Sequence, residues 1–188
     1  INFGTNDQTS SSGYANPPNG SGDHPVYLFL DNSGVNANND FSDGSYGWQT
    51  LIHEIGHTLG LKHPGNYNAT GGGSLGPFLP KATDTRRYTV MSYNNPTDAV
   101  KASSTTSPAG ATTYSLQYVY PQTYMMYDIA ALQYLYGVGD GQGIANYQVN
   151  SFSANWSGME TLFTPSEGSI DASATQHSNI IDLRAGAF

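Results

Sequence analysis

Cysteine is absent from the sequence. Its absence excludes thiolate zinc sites, cysteine nucleophiles and a disulfide framework. Any transition metal bound here must take its ligands from histidine, carboxylate, phenol or water. The compartment stays open on this ground, because disulfides are only one route to extracellular stability.

Charge is also scarce: only 11% of the 188 residues are charged, and six of these are lysine or arginine. The net charge of −8 argues against a nucleic-acid partner, which would require a basic surface. No apolar run is long enough to cross a bilayer, so we expect no membrane partner. The abundant residues include 22 glycines and 14 tyrosines, which favour strands, turns and loops over a helical bundle.

Two segments nevertheless have the apolar periodicity of helices. Apolar residues recur at helical spacing in 47–60 and in 125–137, and each segment ends in glycine. The β-branched and aromatic run at 26–32, preceded by Pro25, predicts a strand. Residues 101–113 are low in complexity and predict a surface loop. The fold class that follows is α+β.

The ends of the chain predict strands and loops. The sequence begins INFGTNDQ, without an initiator methionine or a signal peptide, and we expect a processed product or a fragment. Residues 1–4 predict the end of a strand, and 5–24 predict a polar loop. We expect one domain over 1–137 and a β-rich segment over 138–188, where turn residues alternate with short apolar runs.

A sequence His-Glu-Ile-Gly-His begins at His53 on the first predicted helix. His53 and His57 are four residues apart, so their imidazoles lie on one face and can bind one ion. Glu54 is offset by about 100° around the axis, from where its carboxylate can reach a metal-bound water without being a ligand. Gly60 allows the backbone to leave the helix in a left-handed conformation, so that His63 can approach the same ion.

Three neutral imidazoles leave the fourth position of a tetrahedral zinc open, which is typical of catalytic and not of structural zinc. Such an ion would lower the pKa of its water to about 7. Glu54, as general base, would take that proton and pass it to the leaving amine. The pattern therefore predicts hydrolysis of peptide bonds through a zinc-activated water.

The segment from His53 to His63 resembles the metzincin signature. The sequence HPGNY, which begins at His63, resembles the serralysin family of bacterial secreted metalloproteases. DTRRYTVMSY at 84–93 and MMYDIAALQYLYG at 125–137 are similar to the Met-turn segment and the last catalytic-domain helix of that family. The resemblance implies a metzincin-like domain with a twisted, mostly parallel sheet, an active-site helix and a C-terminal helix. It implies a secreted, extracellular zinc endopeptidase that acts on protein or peptide substrates.

The same resemblance implies roles for residues outside the histidine motif. Met91 would lie in the Met-turn beneath the metal without binding it. Tyr93 would approach the resting zinc and then stabilise the oxyanion, since a phenol is a strong hydrogen-bond donor. Substrate would add to an edge strand at 26–30 through main-chain hydrogen bonds. The residues assigned to that role are Val26, Tyr27, Leu28 and Phe29.

The resemblance covers about residues 1–137 and departs from the family pattern at both ends. A complete serralysin has further elements before the position of INFG, and a calcium-binding β-roll of glycine-rich repeats after the catalytic domain. One imperfect copy of such a repeat, GVGDGQG, occupies 137–143, so calcium is expected mainly in a longer protein. We expect the remaining segments to be other parts of the same polypeptide, as separate chains after autolysis.

Three alternatives fit parts of the pattern. A non-catalytic secreted zinc-binding module or adhesin would not need Glu54, and its site would have a fourth ligand. Pro64 argues against a metzincin of another branch. Only the resemblance to the serralysin family argues against a zinc hydrolase that acts on non-protein amides. Asp128 is given no role beyond a helix N-terminus. His24 and His177 have no partners in the sequence, which predicts surface or hydrogen-bonded residues.

Overall fold

The computed structural model describes residues 1–20, 25–33, 40–68, 71–73, 75–139, 149–151, 158–162 and 169–175. These residues contain two helices and seven short strands. In chain order the elements are β1 (Asn2–Asn6), β2 (Gly13–Ala15), β3 (Tyr27–Asp31), α1 (Tyr46–Thr58), β4 (Val100–Thr106), β5 (Thr112–Tyr118), α2 (Met126–Tyr136), β6 (Val149–Ser151) and β7 (Ser169–Asp171). A mixed α and β composition is therefore confirmed.

The chain divides into two compact units. One consists of residues 1–138 together with 158–161, and the other consists of 139–157 and 162–188. The first unit contains both helices and the strands β1 to β5. In the second unit, β6 and β7 pair in parallel. Residues 140–143 of the glycine-rich stretch lie outside the described residues.

The three-stranded sheet of the first unit has the order β1-β3-β2. β3 pairs in parallel with β1 and antiparallel with β2, so the sheet is mixed and a mostly parallel sheet is not confirmed. The prediction that 26–30 forms an edge strand is wrong, because strands cover both sides of β3. β2 is one of the two edges, and it lies within 5–24, where a loop was predicted. Its three residues are too few to produce an alternating pattern.

α1 ends at the glycine that the sequence predicts, and it begins at a serine cap for which no prediction was made. The Oγ atom of Ser45 accepts a hydrogen bond from the Trp48 N–H at 3.1 Å, which caps the first turn. At the other end Gly60 has a φ of +92°. The Gly60 and Leu61 N–H groups donate to the carbonyls of His57 and Gly56 at 3.0 Å, which is a Schellman ending. The chain therefore turns back toward the histidines of α1.

α1 and α2 share one apolar core. Its buried members are Ile52, Leu61, Val90, Met91 and Met125. α2 occupies most of the segment in which helical periodicity was predicted. Neither helix in the described part of the chain has the length and apolar character needed to span a membrane.

A β-hairpin replaces the surface loop predicted at 101–113. β4 and β5 pair antiparallel from Val100↔Tyr118 to Thr106↔Thr112, and every residue of both strands is exposed. The prediction is wrong because repeated serine and threonine look like low complexity, although threonine is β-branched and favours extended backbone. Gly110, with a φ of +82°, permits the turn between the strands.

Candidate metal centre

The three histidines of the motif converge on one point. The Nε2 atom of His63 lies 3.2 Å from Nε2 of His53 and 3.1 Å from Nε2 of His57. α1 supplies His53 and His57, and the turn at Gly60 brings His63 to them. These three residues form a candidate metal-binding group in which all ligand atoms lie within 4.8 Å of one another.

The opposite ring nitrogens explain why the three Nε2 atoms act as ligands. Nδ1 donates to the Val90 carbonyl in His53 (2.8 Å), to the Leu61 carbonyl in His57 (2.9 Å) and to the Tyr67 carbonyl in His63 (2.8 Å). A neutral imidazole has one N–H, and here the carbonyl partner assigns that proton to Nδ1. Each Nε2 atom therefore presents a lone pair to the same point.

Three lone pairs directed at one point repel each other unless a cation lies between them. For tetrahedral zinc with Zn–N of about 2.0–2.1 Å, neighbouring ligand nitrogens would be about 3.3–3.4 Å apart. The two Nε2 separations given above are within a few tenths of an ångström of that value. The donor set therefore fits zinc, and backbone carbonyls orient each ligand as second-shell partners do in metal sites.

Burial keeps the imidazoles in the neutral form that a metal requires. Burial, and next the charge of His57, lower the pKa of His63 to about 4 and hold that of His53 well below 6.5. Burial lowers the pKa of His57 as well. Since metal ions bind only deprotonated imidazole, protons compete little for this site at neutral pH.

Glu54 lies beside the histidines as a buried acid without a partner. It is 6% exposed, and its Oε2 atom is buried and has no hydrogen bond within the described residues. Burial raises the pKa of its carboxyl to about 8. An orphaned carboxylate oxygen is unusual in a folded protein, and here it belongs to a residue that lines the same cavity as the ligand His53.

Comparison with known proteins agrees with this geometry. Residues 2–107 match the family model described as metallo-peptidase family M12. The chain belongs to this metallopeptidase family. It is 36% identical over 159 residues to serralysin of Proteus mirabilis, an alignment covering 77% of this chain and 29% of the relative. It is also 35% identical over 176 residues to metalloprotease AprA of Pseudomonas entomophila, covering 85% of this chain and 34% of that protein.

A third relative extends the match over most of the chain. Metallopeptidase AprA of Pseudomonas marginalis is 32% identical over 184 residues, covering 92% of this chain and 37% of the relative. Together these matches place the M12 metallopeptidase domain in the serralysin family of metzincins, which depends on zinc. The chain spans about a third of the length of these relatives.

Met91 of this M12 metallopeptidase packs beneath α1. Its side chain is 1% exposed, and a Cβ atom added to Gly56 would lie 2.6 Å from the Met91 Sδ atom. Gly56 lies between Glu54 and His57 on the helix, so the absence of a side chain there allows the thioether to approach the floor of the site. In the sequence this glycine is only one member of the motif.

Asp128, to which the sequence analysis gave no role, connects α2 to a metal ligand. Its carboxylate accepts hydrogen bonds from the N–H groups of Val90 and Met125 at 2.7 and 2.9 Å, and from the Thr89 hydroxyl at 2.5 Å. The carbonyl of Val90 accepts the Nδ1 proton of His53. Asp128 therefore holds the backbone of Val90, the residue whose carbonyl orients the first ligand.

A second network holds the third ligand. The Tyr67 hydroxyl donates to Asp84 Oδ1 at 2.5 Å, and the Ser92 hydroxyl donates to the same oxygen at 2.7 Å. Because the Tyr67 carbonyl accepts the proton of His63, the segment after the motif is tied to the segment around Met91. Asp84 lies in the stretch that resembles the family's Met-turn segment, but no periodicity or spacing in the sequence indicates its partner.

Tyr93 lies over the histidines and is partly open to solvent. Its ring centroid is 4.7 Å from that of His63 and 5.8 Å from that of His53, and its side chain is 40% exposed. Burial, and next the charge of Glu54, raise the pKa of its phenol. The phenol is therefore a neutral donor at the mouth of the site at neutral pH.

The edge strand beside the site is β2, whereas β3 also contacts α1 but lies between β1 and β2. A Cβ atom added to Gly13 in β2 would lie 2.9 Å from Glu54 Cγ, so this edge strand borders the acid directly. Val26 and the β3 residues Tyr27, Leu28 and Phe29 had been assigned to substrate. Leu28 is fully buried, and the main chain of β3 is paired with β1 and β2. His24 and His177 lie outside the described residues.

Proposed function

We propose that this chain is the catalytic part of a secreted zinc endopeptidase that hydrolyses peptide bonds of protein substrates. The observation that supports it best is the convergence of three Nε2 lone pairs beside a buried carboxylate. His53, His57 and His63 would hold the zinc. When bound, this ion would polarise the scissile carbonyl and acidify a water molecule.

Glu54 is the proposed general base. Its carboxylate would accept a proton from the attacking water and later deliver it to the leaving amine. Burial supports this role, because an acid whose pKa is raised toward neutral can both accept and release a proton. Its position on α1, one residue from a ligand, keeps it close to the reacting atoms while leaving the ligand positions to histidine.

Tyr93 is the proposed oxyanion donor, and Met91 the proposed structural support beneath the ligands. The phenol of Tyr93 would donate a hydrogen bond to the oxygen that becomes negative as the carbonyl is attacked. An extended substrate would pair with the outer edge of β2, since that edge adjoins Glu54 and has no strand partner among the described residues. Main-chain pairing of this kind supplies affinity with little selectivity.

Metal analysis combined with a casein digestion assay tests the proposal. We expect about one zinc per chain, proteolysis that a chelator abolishes and zinc restores, and near-complete loss of proteolysis in Glu54→Ala with zinc retained. Unchanged proteolysis in Glu54→Ala would overturn the proposed base. Zinc binding without any proteolysis would favour the non-catalytic binding module instead.

The proposal extends to the longer protein. Because the chain spans about a third of its relatives, we propose that other segments of the same polypeptide accompany it, and that any calcium is bound mainly by those segments. The units proposed from the sequence are a catalytic domain over 1–137 and a β-rich segment over 138–188. Intact mass of the purified material tests whether other segments accompany the chain: a folded, single species near 20.1 kDa would contradict that proposal.

A further inference from the structure

A cavity of about 350 Å³ opens beside the proposed catalytic residues. Residues 10–13, the start of α1, Arg86 and Tyr93 line it. Serine, threonine, glutamine and tyrosine side chains are among those that line its walls. Among the residues that line the cavity, Arg86 is the one lysine or arginine and Glu54 is the one carboxylate. The cavity is large enough to hold one side chain of a peptide bound at the site.

The guanidinium of Arg86 is held rigidly in the wall of this cavity. The side chain is only 7% exposed. Its guanidinium carbon lies 6.0 Å from the ring centroid of Tyr46 and 5.5 Å from that of Tyr120, which are cation–π distances. The rings shield the charge from water, and they fix the plane in which its N–H groups point.

Half of this guanidinium has no partner among the described residues. Nη1 donates to the Tyr93 carbonyl at 3.0 Å and to Asn95 Oδ1. Nε is buried without any hydrogen bond, and Nη2 donates none within the described part of the chain. Within the described residues, the ion pair is formed by the neighbouring Arg87 with Asp98 and does not include Arg86.

An uncompensated buried cation is costly, and the free edge of the guanidinium fits a specific ligand. An arginine presents parallel N–H donors that match the two oxygens of a carboxylate. Among the described residues no carboxylate is paired with Arg86, Glu54 of the same cavity included, although the overall charge is −8. A bound peptide with an acidic side chain would supply it.

We propose that Arg86 determines substrate specificity by binding the side-chain carboxylate of an aspartate or glutamate next to the cleaved bond. The inference rests on the proposed peptidase function. Binding would pair the Nη2 N–H groups of this edge with the carboxylate, since Nε is buried, while Nη1 keeps its bonds to Tyr93 and Asn95. The competing explanation is that Arg86 only positions the segment that carries Tyr93.

Matched peptides separate these explanations. The zinc-loaded protein is given pairs that differ only in Glu against Gln, at the residue before or after the cleaved bond. All peptides are acetylated and amidated, so that the side chain is the one carboxylate that differs. A charge-assisted pair is expected to raise kcat/KM for the Glu peptide roughly 10- to 100-fold over its Gln partner at one of the positions. The Kd of peptides N-methylated at the scissile amide should differ by the same factor.

Variants of Arg86 assign the preference to this residue. Arg86→Gln should bring the Glu-to-Gln ratio to about 1, and Arg86→Lys should leave a reduced ratio, since lysine keeps the charge but not the planar pair of donors. Arg87→Gln is the matched control, because Arg87 is paired with Asp98 and does not line the cavity. It should keep the wild-type ratio.

Two results would overturn the proposal. One is a wild-type ratio near 1 at both positions, which needs no variant and therefore decides the matter even if Arg86→Gln fails to fold. The other is an equal loss for both peptides in Arg86→Gln, which would make Arg86 a positioning residue. If the wild type cleaves neither these peptides nor casein, the proposed peptidase function fails; if it cleaves both peptides equally, only the specificity proposal fails.

Discussion

At the residue scale, the metal centre depends on where three protons are. The Nδ1 protons of His53, His57 and His63 all go to backbone carbonyls, so the ring atoms that face each other have only lone pairs. The motif spacing brings these rings near one another, but spacing alone leaves either ring nitrogen available. The carbonyls of Val90, Leu61 and Tyr67 determine that the proton is on Nδ1 and that Nε2 is free to bind the metal.

Tyr93→Phe tests whether the phenol stabilises charge during the reaction. The variant keeps the ring that packs on Tyr67 and His63 and loses the donor. We expect kcat to fall about 10²- to 10³-fold, as for other single oxyanion donors, with zinc content unchanged. Steady-state kinetics and metal analysis measure both quantities. Tyr114→Phe, at an exposed position of β5, is the control, and equal activity of the two variants would contradict the assignment.

The raised pKa of Glu54 makes the stability of the metal-free protein depend on pH. With zinc removed, the folded state holds the Glu54 proton up to about pH 8, whereas the unfolded state releases it near 4.5. The stabilisation is complete below pH 4.5 and is lost as pH rises through 8. Glu54→Gln does not titrate, so its free energy of unfolding relative to wild type should increase from pH 5.5 to pH 8.

Urea unfolding in the presence of a chelator, at both pH values, measures this difference. Comparing the two proteins at each pH removes the contribution of the histidines, which titrate in both. A difference between variant and wild type that is the same at pH 5.5 and pH 8 would show that Glu54 ionises normally in the folded protein.

At the scale of elements, the site is assembled where α1, α2 and the turn around Met91 meet. α1 carries two ligands and Glu54. α2 contributes no ligand, but its Asp128 accepts the Val90 N–H whose carbonyl binds His53. Burial raises the pKa of the Asp128 carboxyl, and its three hydrogen bonds oppose that shift. The helix is therefore connected to the first ligand through the backbone of one residue, Val90.

Asp128→Asn tests this connection between the elements. An amide cannot accept all three hydrogen bonds, and a buried N–H left without an acceptor costs about 1–3 kcal/mol. We expect Tm to fall by roughly 2–4 °C per kcal/mol for a chain of this size, and zinc affinity to fall about 10- to 100-fold, as for other second-shell changes. Calorimetry and zinc titration measure these effects.

Asp98→Asn is the control for Asp128→Asn. Asp98 pairs with Arg87 at the surface, where 72% of its side chain is exposed, and exposed ion pairs contribute about 0–1 kcal/mol. Its substitution should leave zinc affinity unchanged. A similar loss of zinc affinity in both variants would mean that the effect arises from general electrostatics and not from the backbone of Val90.

At the scale of the whole molecule, the described residues form small sheets with much apolar surface uncovered. Ile1 and Phe3 at the start of β1 are 70% and 60% exposed. Tyr14, Phe29 and Tyr27 stack in a row along the same three-stranded sheet, and Tyr14 and Tyr27 are exposed. Bonds between distant segments therefore contribute a larger share of the stability of this chain than they do in a protein with a large core.

Removing the metal should lower the stability of the whole first unit. Zinc would connect α1 with the segment after Gly60, and a ligand present at 100 times its Kd stabilises the folded state by about 2.7 kcal/mol. We expect a chelator to lower Tm by about 5–10 °C and added zinc to restore it. Differential scanning calorimetry checks this. His63→Ala should show no such zinc dependence, and a zinc effect of equal size in that variant would exclude this site as its origin.

Helices and the ligand set were largely predictable from the sequence. Helical period and the left-handed Gly60 depend on residues within about one turn of each other, so local physics decides them. His53 and His57 meet because they share a helix face, and His63 follows through a short turn. The protonation of these ligands was not predictable, because it depends on carbonyls of residues 67 and 90 as well as on the neighbouring Leu61.

Sheet order, the hairpin and the supporting polar groups were decided by tertiary structure. Which strand lies at an edge depends on partners far away in the chain, and this is why β3 was misplaced and β2 was missed. Asp128 and Arg86 are ordinary polar residues in the sequence. Their roles come from burial against groups about forty residues distant. The energetic effect of a buried charge depends on the partners around it, and only the tertiary structure shows which partners are present.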